Sequence, residues 1–66
     1  MKITVNDKQH EISEGTTIAQ LLGELGYGKA GMAVAIDERV IPLSKWEEYI
    51  INEGVSLLII QAVSGG

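Results

Sequence analysis

The residues best suited to chemistry are the last four of the sequence, Val63-Ser64-Gly65-Gly66, which carry a carboxylate on a pair of glycines. Glycine has no Cβ, so its backbone can approach another surface closely. Four extended residues span about 13 Å, at about 3.3 Å each. We therefore predict a flexible tail at residues 63–66 whose terminal carboxylate reaches into a partner's cleft. The alternative is a frayed end without a function.

The other residues offer little for catalysis. The sequence has no cysteine, which excludes a thiol nucleophile, a disulfide and a thiolate zinc site. His10 is its only histidine, and the neighbouring Glu11 points to the opposite face of a predicted strand, so the two do not form a dyad. No cluster of metal-ligating residues is evident in the sequence. We expect a protein that is not an enzyme and that binds no metal and no cofactor of its own.

A glycine-rich segment, Gly26-Tyr27-Gly28-Lys29-Ala30-Gly31, fits the pattern G-x-G-x-x-G. The dinucleotide-binding fingerprint has this pattern after a strand and at the start of a helix. Here it follows a predicted helix and leads into a predicted strand, so we expect a flexible loop. A P-loop motif is also absent from the sequence, and the chain is not expected to bind ATP alone.

Charge and hydropathy exclude two classes of partner. Nine acidic residues against five basic ones give a formal charge of −4. This charge disfavours binding to nucleic acid and suits a basic protein partner. The alternative is that the charge only keeps the domain soluble. The longest apolar run, Met32–Ile36, is far too short to span a membrane. No apolar segment of a signal peptide follows Met1-Lys2, and we expect a cytoplasmic protein without a membrane partner.

The patterning predicts a small α+β domain with the order β-β-α-β-β-β at residues 1–62. Thr17 and Gln20 match a capping box at the start of the helix, and Gly26 follows its last apolar position. A second capping-box pattern, from Ser44 to Glu47, predicts a short helical turn in which Trp46 caps the core. The strands are predicted at residues 2–5, 9–12, 32–36, 39–41 and 55–62.

The last strand is apolar on both of its faces. Leu57 and Ile59 share one face, and Leu58 and Ile60 share the other. One helix covers only one side of a sheet, so the second apolar face of this strand is expected to dock a partner. We assign Leu58 and Ile60 to the docking surface, although the sequence leaves the opposite parity open.

A cysteine-free domain of this order ending in Gly-Gly resembles the ubiquitin-like proteins, and most closely the ThiS family of prokaryotic sulfur carriers in thiamine thiazole biosynthesis. The resemblance covers essentially the whole chain. Its more specific segments are Val34-Ala35-Ile36-Asp37, Val40-Ile41-Pro42 followed by Trp46, and Val63-Ser64-Gly65-Gly66.

The resemblance implies a β-grasp fold, with a mixed sheet of four to five strands covered on one face by one helix. It also implies that an adenylating enzyme uses ATP to activate the carboxylate of Gly66. Sulfur from the persulfide of a cysteine desulfurase, or of another donor, then gives a thiocarboxylate that supplies a thiazole synthase. Gly65, Ser64 and Val63 would thread the partner's channel.

Three other functions remain open at this point. The small subunit of molybdopterin synthase has the same fold and terminal chemistry, but its members usually run longer. A ubiquitin-like modifier would instead join Gly66 to a lysine. A β-grasp binding module could carry the two glycines by accident.

Overall fold

The computed structural model describes residues 1–27 and 31–61. The element order matches the prediction: the strands at residues 2–5, 32–36 and 39–41 have the predicted bounds, the second strand lies one residue earlier, and the last strand begins one residue later. Over the described residues, the elements are β1 (Lys2–Val5), β2 (Lys8–Glu11), α1 (Ile18–Glu24), β3 (Met32–Ile36), β4 (Arg39–Ile41), the 3-10 helix η1 (Leu43–Lys45) and β5 (Ser56–Gln61).

Two tight hairpins form the outer parts of the sheet. The turn between β1 and β2 consists of Asn6 and Asp7, with φ of 49° and 68°, and that between β3 and β4 of Asp37 and Glu38, with φ of 48° and 71°. Positive φ at both central residues matches the right-handed twist of the flanking strands. Asn and Asp enter this region more readily than other residues with a side chain. Each hairpin therefore turns within two residues, which fixes its register.

The five strands form one mixed sheet in the order β2-β1-β5-β3-β4. The central strand, β5, runs parallel to β1 and antiparallel to β3. A strand paired on both sides is the central strand of its sheet, which places the apolar run of β5 in the middle of the sheet.

Helix α1 has the predicted capping box at its start. The backbone N–H of Gln20 donates to Oγ1 of Thr17 (3.2 Å), and the backbone N–H of Thr17 donates to Oε1 of Gln20 (2.9 Å). The next free amide, that of Ile18, donates to the carbonyl of Tyr49 (3.1 Å). The helix start is thereby joined to the segment that follows η1.

The end of α1 has the predicted glycine, Gly26, at φ 84°. Its N–H donates to the carbonyl of Gly23 (3.2 Å), and that of Tyr27 donates to the carbonyl of Leu22 (2.9 Å). These two bonds form a Schellman motif, which satisfies carbonyls that the helix itself leaves unpaired.

The hydrophobic core lies between α1 and one face of the sheet. Trp46 is buried within it, and its indole N–H donates to the carbonyl of Ile41 (2.9 Å). The predicted helical turn exists, but its N-cap is Pro42, two residues before the predicted Ser44, and it has no side-chain cap hydrogen bond. The buried apolar residues are Ile3, Val5, Ile12, Ile18, Leu21, Leu22, Val34, Ile36, Trp46, Ile51, Leu57 and Ile59.

Candidate partner-docking surface

The two faces of β5 have opposite environments. Leu57 and Ile59 are 1% and 6% exposed and belong to the core, whereas Leu58 and Ile60 are 48% and 51% exposed. The question of parity that the sequence left open is thus answered. Leu58 and Ile60 lie on the open face of the sheet, opposite α1.

Three further apolar residues share this open face. Leu58 pairs with Ala35, which in turn pairs with Val40, and Ile60 pairs with Ala33. Paired residues on neighbouring strands lie on the same face of a sheet. Val40 is the most exposed of the large apolar residues that the structure describes, at 74%. We call these five residues the outer apolar patch.

Sequence analysis missed Ala33, Ala35 and Val40 as part of this surface. The signal that predicts them is the two-residue turn at Asp37 and Glu38, because it sets Ala35 opposite Val40. The pairing of β3 with β5 is a long-range contact and has no comparable local signal.

A groove of about 570 Å³ lies at one end of the outer apolar patch. Both hairpin turns contribute to its rim. Asp37 is attached to β5 by two bonds, since Ser56 N–H donates to Oδ1 of Asp37 (3.1 Å) and Asp37 N–H donates to the carbonyl of Ser56 (3.0 Å). The lining consists of Asn6, Asp7, Ala35, Asp37, Glu38, Ser56, Leu57 and Leu58.

Asn6, in the turn between β1 and β2, is a positioning residue. The pairing of β1 with β5 ends at Val5 and Leu57. Beyond these two residues, the Asn6 side chain replaces the backbone of β1 as the hydrogen-bonding partner of β5. Ile59 N–H donates to Oδ1 of Asn6 (2.8 Å), and Nδ2 of Asn6 donates to the carbonyl of Ile59 (3.2 Å). The C-terminal half of β5 is thereby held on both sides.

The predicted tail residues, Val63, Ser64, Gly65 and Gly66, lie outside the described residues. The same applies to Gly28, Lys29 and Ala30 of the glycine-rich loop. The described structure therefore locates the outer apolar patch and the strand that leads toward the tail.

The remaining candidates do not assemble into a reactive site. His10 is half-buried in β2, where it pairs with Ile3, while Glu11 is exposed. Within residues 1–27 and 31–61, no group of three or more His, Cys, Asp or Glu side chains could hold a metal ion. In the same residues, no helix has the length and apolar character needed to cross a membrane.

Comparison with known proteins identifies the family. The model of the ThiS family matches residues 1–66. The chain belongs to the ThiS family. It is 33% identical over 66 residues to the sulfur carrier protein ThiS of Escherichia coli K12, and the match covers all of both chains.

Two further similarities extend this result. A crystal structure of a thiamine biosynthesis protein, ThiS, from Geobacter metallireducens has a TM-score of 0.84 at 22% identity and full coverage of both chains, which shows the same fold. A thiazole synthase of Paramagnetospirillum magneticum is 32% identical over 66 residues, and this chain spans 20% of that protein. The predicted β-grasp fold is confirmed, and so is the predicted function as a ThiS-type sulfur carrier of thiamine biosynthesis.

Proposed function

We propose that this ThiS-family chain carries sulfur as a thiocarboxylate on Gly66 and delivers it for thiazole formation. The family match carries the proposal, because it extends through residue 66 and includes both glycines. A molybdopterin synthase subunit or a protein modifier would share the fold, but the matched family is that of the thiamine sulfur carriers.

The chemistry begins with activation, because a carboxylate is a poor electrophile. An oxygen of the Gly66 carboxylate attacks the α-phosphorus of ATP on an adenylating enzyme, and pyrophosphate leaves. The terminal sulfur of a persulfide then attacks the acyl carbon, and AMP leaves. Two electrons from thiols open the resulting acyl disulfide and leave the thiocarboxylate.

In this scheme the chain presents a reactive atom and does not catalyse. ATP is bound by the adenylating enzyme, and the persulfide belongs to a cysteine desulfurase or another donor. We place the chain in the cytosol with these partners. Its own contributions are the side-chain-free residues Gly65 and Gly66, which with Val63 and Ser64 thread a narrow channel, and a surface that enzymes recognise.

The outer apolar patch is the proposed docking surface. Exposed apolar area on a sheet face that no helix covers is typical of an interaction site. Leu58 and Ile60 lie on the same strand that leads to Gly66, so a partner bound to them also fixes where the tail begins.

Thiazole synthase is the proposed acceptor of the sulfur. In Paramagnetospirillum magneticum, a protein of that name contains a region similar to this whole chain. Carrier-like and synthase sequences joined in one polypeptide support a direct encounter between the two separate proteins.

Intact-mass measurement tests the proposal. After incubation with the adenylating enzyme, ATP, a persulfide donor and a thiol, we expect a mass increase equal to replacing one oxygen by sulfur. Deletion of Gly66 should abolish this increase and leave the thermal unfolding transition unchanged, because the core of the described residues lies within residues 3–59. Conjugates to lysine would instead identify a modifier, and an unchanged mass under all conditions would refute the carrier function.

A further inference from the structure

We propose that the groove beside the outer apolar patch receives a lysine or arginine side chain of the adenylating enzyme. The aliphatic stem of that side chain lies on Ala35 and Leu58, and its charged head reaches the carboxylates of Asp7, Asp37 and Glu38. The inference rests on the proposed function and specifies the chemistry of the partner's surface.

The groove combines an apolar floor with an acidic rim. Ala35 and Leu58 are paired residues on the open face of the sheet. The three carboxylates come from the two hairpin turns, and the described lining contains no lysine or arginine. Long cationic side chains bury their methylene stems on apolar surface while the charge stays near water or a counter-ion.

The acidic rim is not neutralised from within the described chain. Arg39 follows Glu38 directly, but it precedes Val40 and so points away from the open face. Lys8 follows Asp7, but it pairs with the buried Val5 and likewise points toward the other face. In residues 1–27 and 31–61, Asp7 and Glu38 form no ion pair. Both hairpins thus separate their acids from the adjacent cations.

The identity of the partner follows from the first chemical step. An enzyme that adenylates a carboxylate must bind the phosphates of ATP, and phosphates are held by Lys, Arg and cations. Gly66 lies eight positions after Leu58, which corresponds to at most about 29 Å of fully extended chain. The groove therefore docks within that distance of the enzyme's phosphate site, whose cations attract the carboxylates of the rim and promote encounter.

Two triple variants separate the groove from general charge. Asp7→Asn, Asp37→Asn and Glu38→Gln neutralise the rim, whereas Glu14→Gln, Glu24→Gln and Glu53→Gln neutralise exposed acids outside its lining. Each triple changes the formal charge from −4 to −1, since three negative charges are removed. Asn is compatible with the positive φ of the turns, and Asn at position 37 still offers an oxygen to Ser56 N–H.

The readout is the KM for the carrier in pyrophosphate release by the adenylating enzyme, at low and high salt. We expect the groove triple to raise KM about tenfold at low salt with kcat unchanged, and the control triple to change it less than about twofold. The tenfold difference should shrink at high salt. Thermal unfolding of both triples checks that they are folded.

Several results would overturn the inference. Equal increases in KM for both triples would show that only net charge matters, and an unchanged KM for the folded groove triple would show that the groove is not used. If the groove triple delivered sulfur to thiazole synthase less efficiently while its adenylation was unchanged, the groove would bind thiazole synthase and not the adenylating enzyme. In each case wild-type protein would still acquire sulfur, so the proposed function would stand. Failure of wild-type protein to acquire sulfur would refute that function first.

Discussion

Replacing Asn6 by alanine tests whether its side chain supports β5. The substitution removes two hydrogen bonds to the backbone of Ile59, at 2.8 and 3.2 Å, each contributing about 0.5–1.5 kcal/mol to the free energy of unfolding. It also places alanine at φ 49°, at a cost of roughly 1–2 kcal/mol. The expected loss is about 2–5 kcal/mol. A domain of 66 residues has only about 3–10 kcal/mol in total.

A second substitution at the same position separates the two causes. Asn6→Gly removes the same hydrogen bonds, but glycine accepts a positive φ. The left-handed conformation costs alanine roughly 1–2 kcal/mol, and the greater chain entropy of glycine offsets about 0.5–1 kcal/mol of that advantage. Asn6→Gly should therefore destabilise the domain by about 0.5–1 kcal/mol less than Asn6→Ala. Urea unfolding gives both free energies, and Gln9→Ala, an exposed change on β2, should stay within about 0.5 kcal/mol of wild type.

Hydrogen exchange locates the effect along the chain. The amide of Ile59 donates to Asn6, so it should lose protection in both Asn6 variants more than amides within β1 and β2 do. Stability within about 0.5 kcal/mol of wild type in both variants would refute the role of the side chain. Equal losses for alanine and glycine would refute the contribution of the turn conformation.

Two further pairs of substitutions have opposite expected outcomes. Ile59→Glu places a charge in the core and should unfold the domain. Leu58→Glu, at a 48% exposed position, should leave urea unfolding nearly unchanged and weaken adenylation. Comparable unfolding of both variants would show that the outer face is not free. Gly23→Ala should stabilise the helix by about 1 kcal/mol, because a Cβ there has no atom within 4 Å and the residue lies inside α1. At Gly26 an added Cβ also has no atom within 4 Å, but the residue has φ 84°, so Gly26→Ala should destabilise the domain by about 1 kcal/mol. A shift in melting temperature of the same sign for both variants would contradict the different roles of the two glycines.

Local signals predicted the elements well because neighbouring residues decide them. The capping box of Thr17 and Gln20 and the terminal Gly26 mark both ends of the helix in the local sequence. The predicted start of η1 was wrong because Pro42, at φ −58°, takes the N-cap position two residues before Ser44. Trp46 N–H then donates to the carbonyl of Leu43 (3.1 Å), which closes the turn early.

The proposed docking surface could be predicted only in part, because it depends on contacts between distant residues. Both parities of β5 are apolar, and only the position of α1 determines that Leu58 and Ile60 face outward. The partner of the Asn6 side chain lies 53 residues further along the chain. The groove likewise requires two turns, at Asp7 and at Asp37, to meet across a sheet whose central strand is the last one in sequence.

The position of β5 links docking to chemistry. It is paired on both sides, by β1 and Asn6 on one edge and by β3 on the other, so the outer apolar patch and the end of the strand belong to one continuous hydrogen-bonded sheet. Gly66 lies five positions after Gln61, which is at most about 18 Å of fully extended chain. A partner that binds Leu58 and Ile60 must therefore have its reacting centre within that distance of the end of β5. If the proposed adenylating enzyme and thiazole synthase both dock on this face, both meet this requirement, and competition for the face would make them bind in turn.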